Sequence, residues 1–255
     1  MVDVTLLPEN AFGYVPTPAL VAPIEFTMRR EDYEALGGHM KHVMPLAEAR
    51  AGKKAIQNDH ILAQVTPMAA VAGAVADEML AAMLETADVR RAYVNNGGDI
   101  ALHLADDERF SIASANGHVS VAAGDGVGGI ATSGRHGRSH SLGIADSVSV
   151  LAHSGAAADV AATLIANAVD LPGSPKVKRV AACELSPDSD LRERLVTVDV
   201  LPLEDAETSD ALARGLEKAT SFQRRGLIIA ATLGLNDKVL ELQPAASIEG
   251  AAVHA

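Results

Sequence analysis

Small apolar residues recur along residues 66–86, TPMAAVAGAVADEMLAAMLET, with Thr66 where an N-cap belongs and Pro67 at the first helical position. Good helix formers carry the pattern to about Thr86, which predicts a helix. A second run, SGAAADVAATLIANAV, predicts another helix, capped at Ser154 and ending near Val169. Both leave little side-chain bulk on one face, so a neighbouring backbone or a ligand can come close. Between them the pattern changes to short β-rich stretches at 91–95, 100–104, 110–115 and 118–123, each bounded by Gly, Asn or Asp. These read as a meander of antiparallel strands. A glycine-rich stretch at 124–129 follows, and a strand is expected at 147–152.

Four prolines before residue 24 favour an extended lead-in over 1–23, followed by a strand at 24–29 and a mixed, partly helical stretch at 31–50. Beyond the second helix, a turn at 171–175 precedes strands at 177–184 and 194–203, a helix at 208–224 and a strand at 227–232. Residues 244–255 read as a loose tail. No repeat of solenoid period is visible, and intermixed strands and helices predict one α+β domain over 24–243, with mixed or antiparallel sheets and packed helices.

Composition narrows the function classes. Hydrophobic residues make up 48% of the 255, enough for a full core, but aromatics are only 3% and Trp is absent, so that core must be built from Ala, Val, Leu and Ile. The formal net charge of -12 argues against general affinity for nucleic acid or anionic membrane, because any anion must be met locally. The single cysteine, Cys183, forms no internal disulfide, and the acidic N-terminus lacks the positive region of a signal peptide. The apolar run at 68–84 is interrupted by Asp77 and Glu78 and is unsuited to crossing a bilayer. A cytoplasmic protein is expected.

Three local constellations offer chemistry. Asp159 and Thr163 stand at i and i+4, one turn apart on a single helix face, and both are hard oxygen ligands of the kind magnesium takes. The bland alternative is an exposed Asp near a helix N-terminus, whose replacement leaves the fold intact. Asn95 to Asp99 reads as a hairpin turn, in which Gly97 and Gly98 also permit close approach of a ligand to Asp99. Thr132, Ser133, Gly134, Arg135 and Arg138 belong to a hydroxyl-rich, locally cationic stretch with donors for a phosphate, the alternative being a solvated loop. His140, at its end, is the candidate to accept a proton or hold the phosphate, with Asp146 near enough in sequence to orient it. Equally, His140 suits a role packed under the loop, supporting its shape.

GGDI at 97–100, GIATSG at 129–134, ADSVSVLA at 145–152 and ADVAATLIANAV at 158–169 stand in an order that resembles the ApbE-like superfamily, the FAD:protein FMN transferases. TPMAAVAGAVAD at 66–77 and SHSLGIAD at 139–146 resemble an uncharacterised archaeal and bacterial branch of it. The resemblance implies an ApbE-like fold in which Asp159 and Thr163 bind Mg2+ beside an FAD pyrophosphate. It further implies attack by a hydroxyl of a protein acceptor on FAD, leaving FMN attached and releasing AMP. The transferases carry a longer His-Ile-Ile-Asp-Pro-x-Thr-Gly segment where this chain has only His140 to Gly143.

The functional expectation is therefore a magnesium-dependent protein for a phosphate-bearing small molecule, with FAD or FMN as the flavin version. The alternative is a binding or accessory protein for another heterocycle, such as a pterin-like cofactor or its precursor; a third reading is a likeness of fold alone. The small-residue helices suit either internal packing or a subunit interface, so a homo-oligomer is among the expectations.

Overall fold

In the computed structural model, residues 2–6, 24–28, 67–86, 89–114 and 117–244 are described. An eight-stranded sheet runs in the order β1 (Val2–Leu6), β2 (Ile24–Met28), β3 (Arg91–Asn96), β4 (Asp99–Leu104), β7 (Gly129–Ser133), β8 (Ser147–Ala152), β11 (Ala230–Leu235) and β12 (Lys238–Leu242). The β1–β2 pair is parallel and the other neighbours are antiparallel. Two-stranded ribbons of β5 (Arg109–Ser114) with β6 (Gly117–Ala122), and of β9 (Val177–Ala181) with β10 (Leu195–Val200), complete the strands. The helices are α1 (Val71–Thr86), α2 (Gly155–Ala168), the single turn α3 (Ala182–Leu185) and α4 (Asp205–Arg224). The chain is an α+β domain, as the intermixing of elements predicts.

Alternation along the strands sets the layers. Ala101, Ala131, Val148, Val150, Leu233 and Leu235 point to one face, where α1, α2 and α4 pack. Leu102, Ile130 and Val121 form a smaller cluster on the other face, where the β5–β6 ribbon covers β3 and β4. Tyr93 and Phe110 meet edge to face there, with ring centroids 6.0 Å apart. Helix α2 is the central element: nine of its fourteen residues are buried, most of them Ala, so helix and sheet come close without aromatic bulk.

Local chemistry explains the helix ends. Ser154 is the α2 N-cap, its Oγ accepting the Ala157 N–H at 3.2 Å. Helix α4 begins three residues before the expected 208, because Glu204 and Glu207 form a capping box whose Glu207 carboxylate accepts the Glu204 N–H at 2.7 Å. The expected Thr66 cap and the stretches at 31–50 and 245–255 lie outside the described residues. Pro67 to Ala70 form a 3-10 turn leading into α1.

Other differences have physical causes. The expected meander is two separate hairpins, because β5 and β6 leave the main sheet to fold over it. No strand is expected at 129–133, yet these residues form strand β7, whose Ile130 and Ala131 enter clusters on opposite faces. The strand expected at 177–184 stops at Ala181, where the chain enters α3; that expected at 227–232 is shifted to 230–235. Strand β12 lies where no strand is expected; Asn236 at φ 52° turns the chain between β11 and β12.

Candidate cation and phosphate site

Helices α1 and α2 cross at Gly73 and Gly155, so closely that a Cβ on Gly73 would lie 2.2 Å from the Gly155 carbonyl oxygen. Each glycine is followed four residues on by an aspartate, in Gly73-Ala-Val-Ala-Asp77 and Gly155-Ala-Ala-Ala-Asp159. The two carboxylates are exchanged. Asp77, on α1, accepts the N–H groups of Gly155 and Ala156 at 2.8 and 3.0 Å, satisfying the first turn of α2. Asp159, on α2, accepts the N–H of Gly73 at 3.0 Å in the first turn of α1.

A tight turn brings a third carboxylate to this crossing. Gly97 and Gly98 are the two central residues between the paired Asn96 and Asp99, with φ of 71° and 110°, which only glycine adopts readily. Asn96 fastens the turn to α1 by donating to the Ala72 carbonyl at 3.0 Å. Asp99 shares the parity of buried Ala101 and so faces the helices. Burial raises the Asp99 carboxyl to about pH 7 despite the opposing charge of Arg138. Burial also pushes Asp159 well above the usual carboxylate range, with Asp99 and Asp77 adding to the rise and the Gly73 and Ala72 amides opposing it.

The segment 134–143 lies along this region, anchored at its middle and near its far end. Arg138 donates to the Gly97 carbonyl at 3.0 Å, and the Leu142 N–H donates to Asn167 Oδ1 at 3.0 Å. Asp159, Thr163 and Asn167 form a partly buried stripe at i, i+4 and i+8 on α2. Thr163 is thus one turn from Asp159 on the stripe that the segment's anchor at Asn167 also uses.

The remaining predicted residues are dispersed. Asp146 accepts from Arg135 at 2.8 Å, from the Asn236 N–H at 2.6 Å, and meets His136 at 3.0 Å. His140 instead bonds Ser186 at 3.1 Å, so the sequence-adjacent pairing of His140 with Asp146 is not formed. Thr132 bonds Ser149 at 2.8 Å on the opposite face of the sheet, while Ser133 ends β7 and Gly134 packs against the Asp146 backbone. Of the predicted phosphate donors, Arg138 alone is placed beside Asp99. Asp159 is no exposed helix residue: it is partly buried and accepts an N–H from the first turn of α1. In the sequence Asp77 interrupts an apolar run; the repeated Gly-Ala-x-Ala-Asp is the signal that it has a counterpart.

A family model described as AbpE bacteria matches residues 34–242. The chain belongs to this family. Among curated relatives, a UPF0280 protein of Archaeoglobus fulgidus is 29% identical over 76% of this chain and 83% of its own length. The UPF0280 protein of Methanocaldococcus jannaschii is 38% identical over 42% of this chain and 46% of its own. A 6-hydroxynicotinate reductase of Eubacterium barkeri is 52% identical over 48 residues, 19% of this chain and 10% of the reductase. The chain thus spans a tenth of that reductase and about half the length of the first methanogen relatives it matches. The ApbE-like expectation holds at this family level. Among the described residues, no helix is long and apolar enough to cross a membrane.

Proposed function

We propose that the region of Asp99, Asp159 and Thr163 binds a divalent cation, with magnesium the best match, next to a phosphate-bearing ligand. The observation that carries this reading is the gathering of acidic groups: the recessed Asp99 adds to the proton affinity of Asp159, and the nearby Arg138 hydrogen-bonds Gly97. A divalent ion relieves such repulsion. Among the described residues no group of three or more His, Cys, Asp or Glu side chains is gathered to cage a metal. Two carboxylates, a hydroxyl and water suit magnesium, which keeps much of its hydration.

When bound, the cation would supply charge neutralisation and polarisation of a phosphate oxygen. Asp159 and Asp99 provide the anionic ligands, Thr163 a neutral hydroxyl one turn on, and Arg138 a cationic rim that meets phosphate. His140 and Asp146 act here as supports of the 134–143 segment, through Ser186 and through Arg135 and His136. The family relationship favours FAD or FMN as the ligand and FMN transfer to a protein hydroxyl as the reaction. The second reading, a non-flavin protein for a heterocycle such as a pterin-like compound, is favoured by the short, strong similarity to a protein named for reduction of 6-hydroxynicotinate.

Calorimetry with magnesium alone, then with FAD or FMN, tests each part separately. Magnesium should bind the wild type, and Asp159→Ala should lower that affinity by at least about tenfold, with a smaller loss for Thr163→Ala. Unchanged magnesium affinity in Asp159→Ala would overturn the cation site. Magnesium binding without affinity for either flavin nucleotide would overturn the flavin reading and leave the second one.

A further inference from the structure

A groove of about 730 Å³ lies on the face of the main sheet opposite to the Asp99 side chain and helix α2, reaching the turn at Gly98 at one end. Its size falls within the range of small-molecule sites. The floor is ordered by strand register. Ile100, Ile130, Leu151 and Ala230 are successive partners across β4, β7, β8 and β11, forming an apolar row. Two residues along, Thr132, Ser149, Thr232 and Glu241 are successive partners across β7, β8, β11 and β12, forming a polar row. At the usual strand spacing this second row is roughly 14 Å long. Val119 and Val121 of the β5–β6 ribbon line one side, and Gln223 and Ile228 the other.

The charge is equally specific. Asp125 and Glu241 line the groove, and among the described residues none that line it is Lys, Arg or His. A phosphate or carboxylate brought here meets like charge from these two carboxylates. A flat ring system with N–H and C=O groups along one edge fits both rows: its faces lie on aliphatic side chains and its polar edge meets the hydroxyls. Thr132 and Ser149 already bond each other at 2.8 Å, leaving further hydroxyl donor and acceptor capacity for such an edge.

We infer that this groove is a second ligand site, selective for uncharged, flat heterocycles with a hydrogen-bonding edge and closed to anions. It stands on the opposite face from the proposed cation site and does not depend on it.

The test uses 6(5H)-phenanthridinone, an uncharged fluorescent three-ring lactam whose N–H and C=O are adjacent on one edge, titrated with the full chain. A derivative carboxylated on a ring carbon, with the lactam intact, serves as the anionic comparison. Saturable one-to-one binding of the lactam is expected, with the acid at least about tenfold weaker and Glu241→Lys narrowing that gap. Thr232→Val keeps the strand shape but removes a hydroxyl, and should weaken lactam binding by about three- to tenfold. Ser149→Trp fills the floor and should abolish binding; thermal melts establish that each variant folds, and Thr232→Val carries the test if Ser149→Trp does not. Absence of saturable binding, equal affinity for the acid, or unchanged affinity in Thr232→Val would overturn the assignment. So would loss of lactam binding in Asp99→Asn, since that would place the probe on the helix side of the sheet.

Discussion

Asp77 and Asp159 occupy matching places in matching segments, four residues after a glycine at which two helices touch, yet their surroundings differ. Asp77 lies 9% exposed and accepts two N–H groups from the start of α2. Asp159 is partly buried, accepts from the start of α1, and has Asp99 as a neighbouring negative charge. A buried carboxylate met by amide donors serves to hold helices; one that faces another carboxylate retains an unmet demand for positive charge. The same five-residue pattern therefore serves structure at one place and offers chemistry at the other.

The largest effect should come from breaking the feature both halves share. In Gly73→Ala the new Cβ would meet the Gly155 carbonyl oxygen at 2.2 Å, and backbone on both sides leaves no flexible side chain to yield. The helices must move apart, separating both carboxylates from their donors. We expect a loss of at least about 3 kcal/mol, seen as a large fall in urea midpoint.

Asp77→Ala breaks only the structural half. It leaves the Gly155 and Ala156 N–H groups buried without their carboxylate, at a cost of about 3 kcal/mol. The comparison predicts that this variant loses more stability than Asp159→Ala, whereas Asp159→Ala loses more magnesium affinity once both are measured below their melting temperatures. The reverse ranking in both measurements would show that the assignment of roles is inverted.

Asp99→Asn sharpens the contrast by removing charge from the chemical half. Burial raises its folded carboxyl to about 7, above the unfolded value, so the native state holds the proton more tightly. The Asp99 contribution to stability therefore falls as pH rises from about 4 to about 7 and is level above that, on top of a fall of the same sign from Asp159. The amide should reduce that slope, leaving the part due to Asp159, and make the variant about 1–2 kcal/mol more stable than wild type at pH 8 without magnesium, by denaturant titration. Magnesium competes with the same proton: its affinity should rise with pH through about 7 in the wild type and vary less in Asp99→Asn. A wild-type affinity independent of pH between 5 and 8 would remove Asp99 from the site.

The sequence by itself determines much that is local. The hairpin at Gly97 and Gly98, the Ser154 cap, both small-residue helices and the ordered motifs that signal the family are legible, because each depends on neighbours a few residues away. The Asp159–Thr163 spacing is legible for the same reason. Strand β7 was hidden because its strand character depends on burial between two clusters rather than on its glycine-rich surroundings. Only the tertiary structure decided which charges are compensated. The Asp159 bond spans 86 residues and the Asp77 bonds 78 and 79, while Arg138 reaches back 41 residues to Gly97. Nearness in sequence suggested His140 with Asp146, but the fold sends His140 to Ser186 and surrounds Asp146 with Arg135, His136 and the Asn236 amide. Spacing places side chains on one helix face, whereas Coulomb and desolvation energies depend on distances set by packing between elements.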